Sequence, residues 1–194
     1  LITLMPAASS ERRLSTAEER RETVLRTALG AFAARGYYGT TTGEVAKSAG
    51  ISQAYVYRLF PDKEALFLSV VEHCFARIRE SLADGVAAAK GSSPEAVLYA
   101  MGDAYARLIS EENTLLRVQM HAQCAAISEP AVREVVQRGV ARTVEYVRGM
   151  SDGSEEQVQE FFARGMLCHL VVAVDADAVD APWAKTLAKG IRHY

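Results

Sequence analysis

The stretch Thr41–Phe60, "TTGEVAKSAGISQAYVYRLF", restricts the possible folds more than any other part of the chain. It places two helix starts and a stop within a few turns. Thr41 with Glu44 three residues on is a capping-box signature. Val45, Ala46 and Ala49 give a short apolar face, and Gly50 ends it. Ile51 is an apolar residue set in the turn. Ser52 caps a second short helix with Val56, Leu59 and Phe60 turned inward. Pro61 stops that helix, because the residue before proline is pushed away from helical angles. Upstream, Thr16 with Glu19 predicts a helix start, and Val24, Leu25, Ala28, Leu29 and Phe32 form a helical stripe that stops at Gly36. Three helices with a tight turn between the second and third make a helix-turn-helix.

The rest of the chain reads the same way. Asp62 caps a fourth helix with Leu66, Val70, Val71, Cys74 and Ile78 on one side. Further helices are expected at about 94–111, 114–126, 130–150, 154–174 and 182–193. Pro94, Pro130 and Pro182 sit near their starts, where a missing N–H costs nothing. No alternating strand pattern persists. The expectation is an all-α chain of about nine helices: a flexible tail over 1–14, a three-helix head over 15–62 and a helical body over 63–194.

The third helix carries more polar side chains than a packing role needs. A recognition helix in such a unit lies in the major groove with its N-terminal residues at base edges. Gln53, Ala54 and Tyr55 would face bases, because glutamine pairs donor and acceptor as adenine requires and alanine permits close approach. Tyr57 and Arg58 would flank them and reach phosphates. Thr40, Thr41 and Thr42 precede the second helix, whose free N–H groups favour an anion. Lys63 opens the fourth helix against its dipole, an arrangement better explained by a phosphate there than by stability.

These motifs resemble the DNA-binding head of the tetracycline-repressor (TetR) family of bacterial transcriptional regulators. The likeness covers residues 16–68 and includes Phe32, Gly36, Thr41-Thr42, Val45-Ala46, Ala49-Gly50-Ile51-Ser52, Val56-Tyr57, Phe60-Pro61 and Lys63-Glu64-Ala65-Leu66. It implies phosphate contact by Thr42, base reading by Gln53, Ala54 and Tyr55 beside Ser52, and backbone contact by Tyr57, Arg58 and Lys63. Arg58 and Leu59 replace the histidine and aromatic common in the family, and Tyr55 replaces a smaller residue, which points to an unusual operator.

The resemblance also implies a ligand-binding and dimerisation body. Candidates for a pocket between the fourth and eighth helices are Phe75, Met101, Tyr105, Leu108, Met120, Gln123, Cys124, Phe162, Met166 and His169. Gln119, His121 and Arg117 are further polar orienters. A small, mostly apolar or aromatic effector follows, since no acidic cluster argues for a cation. The last two helices are expected to pair with a second subunit through Val158, Phe161, Gly165, Val172, Trp183, Leu187 and Ile191. The implied protein is a cytoplasmic homodimer that releases a palindromic double-stranded operator on binding its effector, with no cofactor or metal.

Composition agrees and excludes other classes. Net charge is −2, but residues 11–66 hold nine basic against seven acidic side chains and residues 67–194 hold thirteen against seventeen. Cys74, Cys124 and Cys168 match no zinc or redox spacing and read as buried reduced thiols. The opening "LITLM" is too short for a signal sequence, and no apolar run suits a membrane span. His73, His121, His169 and His193 pair with no nucleophile or carboxylate at a telling spacing, and no phosphate loop or metal motif appears, so an enzyme is disfavoured. A helical interaction module without DNA binding is the other alternative.

Overall fold

The computed structural model describes residues 8–191, with side chains from residue 18 onward. Among them there are nine α-helices, one short 3-10 turn and no strand. The helices are α1 (Ala8–Gly39), α2 (Thr42–Ala49), α3 (Gln53–Leu59), α4 (Lys63–Ala87) and α5 (Pro94–Glu111). They continue as α6 (Asn113–Ala125), α7 (Pro130–Ser151), α8 (Glu155–Ala173) and α9 (Pro182–Ala188). α1 begins at Ala8, so Thr16 lies inside the helix and does not start it. The tail expected over 1–14 is therefore helical from Ala8, while residues 1–7 lie outside the described residues. α9 ends at Ala188, short of the expected 193.

Packing divides the chain between Val70 and Val71, within α4. In the first unit Val24, Ala28, Phe32, Val45, Val56, Phe60, Leu66 and Phe67 are buried. Phe67 explains why the start of α4 belongs here: its ring lies 4.8 Å from Phe32 and 5.0 Å from Tyr37. Each large side chain so buried contributes roughly 1.5–3 kcal/mol over exposure. α1 breaks at Gly36, whose φ of 68° and ψ of −175° suit glycine. Gly50 ends α2 in the left-handed region, and the Ile51 N–H returns to Ala46 O at 3.0 Å.

The second unit is a helical body. Ile109, Leu116 and Cys168 bring α5, α6 and α8 together, and Val171, Ala176 and Ala184 seat α9 and the 3-10 turn on α8. Ser93 caps α5 ahead of Pro94, and Ser154 with Gln157 forms a capping box on α8. α4 and α5 approach so closely at Gly85 that a Cβ there would lie 2.7 Å from Ala100 O. No helix of the described residues is long and apolar enough to cross a membrane.

Candidate functional sites: a recognition helix and a lined cavity

The recognition helix is held by short-range capping. Glu44 accepts from the Thr41 backbone N–H (3.0 Å) and hydroxyl (2.9 Å), which lowers its pKa, and Glu44 N–H returns to Thr41 Oγ1. Ser52 Oγ accepts from Tyr55 N–H at 3.2 Å. Val56 and Phe60 are buried, Leu59 is half-buried, and Gln53, Ala54, Tyr57 and Arg58 are exposed. The apolar residues of α3 thus turn inward and its polar ones outward.

Those outward groups are tied to one another. Gln53 Nε2 donates to Thr42 Oγ1 at 2.9 Å and to Tyr57 Oη at 3.4 Å, and the two hydroxyls lie 3.0 Å apart. Thr42 itself is buried. Tyr55 is half-buried with two guanidiniums near its ring, Arg20 and Arg58, each 5.5 Å from the centroid. Arg20 also donates to Tyr55 Oη at 3.5 Å. Arg21 donates to Leu59 O at 3.1 Å and covers Phe60, closing the end of α3. Neither arginine could be placed beside α3 from sequence, because 35 and 38 positions separate each pair.

Lys63 has a structural reason that the sequence argument missed. Its Nζ donates to Tyr37 O at 3.0 Å and lies 4.5 Å from the Tyr37 ring centroid. The break at Gly36 leaves carbonyls at the end of α1 without helical partners, and the ammonium satisfies one. The charge opposing the α4 dipole is therefore explained without a phosphate. Thr40 Oγ1 donates to Ala31 O at 3.1 Å, so each hydroxyl of the three threonines at the start of α2 already has a partner.

The body holds a cavity of about 980 Å³ lined from α4 to α8 and by Gly190 and Ile191. Phe75, Tyr105, Gln123, Phe162, Met166 and His169 line it, as does Gln119. Met101, Leu108, Met120 and Cys124 do not: Met101 and Leu108 are core, Met120 packs on the Ile109–Leu116–Cys168 cluster, and Cys124 is exposed. The expectation of three buried thiols therefore fails at Cys124, which sits on the outer side of α6. Phe75 also fits against Gly139, where a Cβ would lie 2.2 Å from its ring.

One polar chain crosses this apolar wall. Gln119 Nε2 donates to Tyr105 Oη at 3.3 Å, and Tyr105 Oη lies 2.9 Å from His169 Nε2. His169 is buried, and its Nδ1 is the one buried side-chain nitrogen or oxygen without a partner among the described residues. Burial lowers the His169 pKa and raises that of Tyr105. It also pushes Cys74 up to about 12 and Cys168 to about 11. The imidazole is neutral and the phenol and thiols keep their protons.

The residues expected at a subunit interface separate into two sets. Val158 is buried, Val172 and Ile191 pack on the Ile109 cluster, and Leu187 packs on the Val171 cluster. Phe161 lines the cavity edge-to-face with Phe162 at 5.5 Å. Trp183 is exposed, and a Cβ at Gly165 would meet nothing within 4 Å. Met166 and Leu170 on α8 and Val174 at its C-cap, spaced four apart, are each about half exposed, at 51%, 46% and 47%.

Comparison with known proteins accords with this arrangement. Residues 24–70 match the family model described as bacterial regulatory proteins, tetR family. Over 58 residues the chain is 40% identical to YuxN, an uncharacterized HTH-type transcriptional regulator of Bacillus subtilis (30% of this chain, 20% of that protein). Over 126 residues it is 29% identical to the HTH-type transcriptional regulator AcrR of Shigella flexneri (64% of this chain, 58% of AcrR). The matched stretches thus span less than two thirds of either relative. The fold extends further: FadR of Bacillus subtilis, solved with stearoyl-CoA, superposes with a TM-score of 0.69 at 14% identity over 87% of this chain and 95% of FadR. A TetR family regulator from Marinobacter aquaeolei gives 0.59 at 21% identity over 70% of each chain. The head thus matches the tetR family model over residues 24–70, and the body shares the fold of solved regulators.

Proposed function

We propose that the protein is a DNA-binding transcriptional regulator, a repressor released from a palindromic operator when a small apolar or aromatic effector enters its body. The observation that carries this reading is α3: a helix-turn-helix second helix that buries Val56 and Phe60 and leaves Gln53, Ala54, Tyr57 and Arg58 exposed. A purely structural helix of seven residues would gain little from that many outward hydrogen-bonding groups. In the DNA-bound state Gln53, Ala54 and Tyr55 read base edges from the cap at Ser52, and Tyr57, Arg58 and Lys63 hold phosphates. Thr42 acts through the hydroxyl it shares with Gln53 and Tyr57. Lys63 keeps N–H groups beyond the one given to Tyr37.

The cavity supports the effector half, since it falls in the size range of small-molecule sites and has mostly apolar walls. The relative FadR, solved with stearoyl-CoA, supports a ligand in a body of this fold. An effector shifts the equilibrium only by binding two body states with different affinity. The exposed stripe Met166–Leu170–Val174 with Trp183 is the surface we assign to a second subunit. It amends the expected set, because Val158 and Val172 are used within the chain.

Selection of duplexes from a randomised pool, followed by gel retention across salt concentrations, tests the reading. Arg58→Ala should weaken all duplexes alike and reduce the salt slope by about one unit. Gln53→Ala should relax discrimination at one base pair by about 1–3 kcal/mol. Selection of no common sequence, or indifference to both changes, would overturn the proposal.

A further inference from the structure

We infer that the effector is an uncharged, largely apolar molecule carrying a hydrogen-bond acceptor, a carbonyl oxygen above all, which takes the Nδ1–H of His169 at the end of the Gln119–Tyr105–His169 chain. The inference rests on reading the cavity as an effector site, and it names the chemistry of that site.

Hydrogen-bond accounting sets the direction. The Gln119 amide nitrogen can only donate, so Tyr105 Oη accepts from it. The phenol has one proton of its own, and its remaining partner is His169 Nε2 at 2.9 Å. With that proton given to Nε2, the neutral imidazole holds its own hydrogen on Nδ1. This N–H is sealed from solvent and unpartnered, a state that buried polar groups in folded proteins rarely keep. The opposite tautomer would leave the phenol proton with no acceptor and would strand Nδ1 as well. The ring lines the cavity.

Charge then narrows the ligand. The buried lining carries none: Cys74 and Cys168 remain thiols, Tyr105 a phenol and His169 a neutral ring. Of the charged residues at the cavity, Glu95, Arg148, Glu155, Glu160 and Arg164 are exposed. The remaining one, Asp103, pairs with Arg107. An ionic group carried inside would lose its hydration and find no counter-charge. A neutral acceptor meets a donor that has no other use. A ligand lacking the acceptor leaves that donor as unpaired as before, so the trio discriminates by what a ligand carries at one end.

Three rigid probes of one size separate the possibilities: 2-acetylphenanthrene, its carbon isostere 2-isopropenylphenanthrene, and phenanthrene-2-carboxylate. Calorimetry on the full chain without DNA should show the ketone binding about ten-fold or more tighter than the isostere, with the carboxylate weakest. His169→Phe should erase the preference for the ketone while retaining the isostere. On the unmutated protein, nitrogen-15 NMR of labelled histidine should show the Nδ1–H tautomer of His169 and a change at that nitrogen with the ketone alone. Equal binding of ketone and isostere, tightest binding by the carboxylate, no binding of any probe, or an Nε2–H tautomer would each overturn the inference. Ketone-selective binding that leaves operator retention unchanged would uphold it and refute effector-driven release instead.

Discussion

The head and the body solve opposite problems with polar side chains. In the head, every polar group singled out on or beside α3 has a partner within the unit: Gln53 with Thr42 and Tyr57, Tyr55 with Arg20, Lys63 with Tyr37 O. That surface is built before any partner arrives, so little ordering entropy remains to be lost on contact. In the body, a polar chain reaches into an apolar cavity and ends on an unpartnered nitrogen. One site is a finished outer surface and the other an incomplete interior. Preorganisation suits reading a fixed shape such as duplex DNA. An interior that lacks one hydrogen-bond partner suits response, because the missing partner can differ in its affinity for two body states.

The contrast breaks most readily at the core of the head. Phe32→Ala, which removes a fully buried ring against Phe67, should cost about 3–5 kcal/mol. Hydrogen exchange should show α2 and α3 losing protection while α6 and α8 keep theirs; equal loss in all four would mean that the two units do not separate as described. Next come the glycines. Gly85→Ala places a Cβ 2.7 Å from Ala100 O and Met101 Cα, backbone that cannot yield, and should cost about 1–3 kcal/mol. Gly50→Ala meets nothing within 4 Å but keeps a φ of 68° and should cost about 1–2 kcal/mol. Denaturant midpoints that invert this order would show that close approach is not what shapes the body.

Two smaller effects sharpen the comparison. Thr41→Ala removes the α2 capping box and should cost about 1 kcal/mol, seen as a lowered melting temperature with unchanged probe binding in the cavity. His169 gives a pH dependence with a definite sign. Burial lowers its pKa below 6.5, so the unfolded chain takes up the proton first. Its contribution is complete above pH 6.5 and is lost as pH falls below it. Urea midpoints measured from pH 7.5 to 5 should fall less steeply in His169→Phe than in the parent chain; identical slopes would refute a buried neutral imidazole.

Much of the head was legible because its determinants lie a few residues apart. Thr41 and Glu44, Ser52 and Tyr55, Gly50 and Ala46 are neighbours along the chain, and capping and turn chemistry act at that range. The intramolecular partner of Lys63 was not legible for the opposite reason: the carbonyl, on Tyr37, is 26 residues away. In the body, helical spacing located α5 to α8 well but could not say which side of each faces inward. Met166, one residue beyond Gly165, is half exposed although it lines the cavity, and Cys124 faces outward despite apolar neighbours on α6.

By itself the sequence determined nine helical segments, the turn at Gly50 and the caps around α3, since each depends on backbone geometry set by adjacent residues. Only the tertiary structure decided that Arg20 stands beside Tyr55, that Phe75 fits the notch at Gly139, and that Tyr105 reaches His169 across 64 positions of chain. The physical reason is range: a cap is a contact the helix makes with itself. A cavity and its unpartnered N–H exist only where separate helices meet, and no local propensity encodes that meeting.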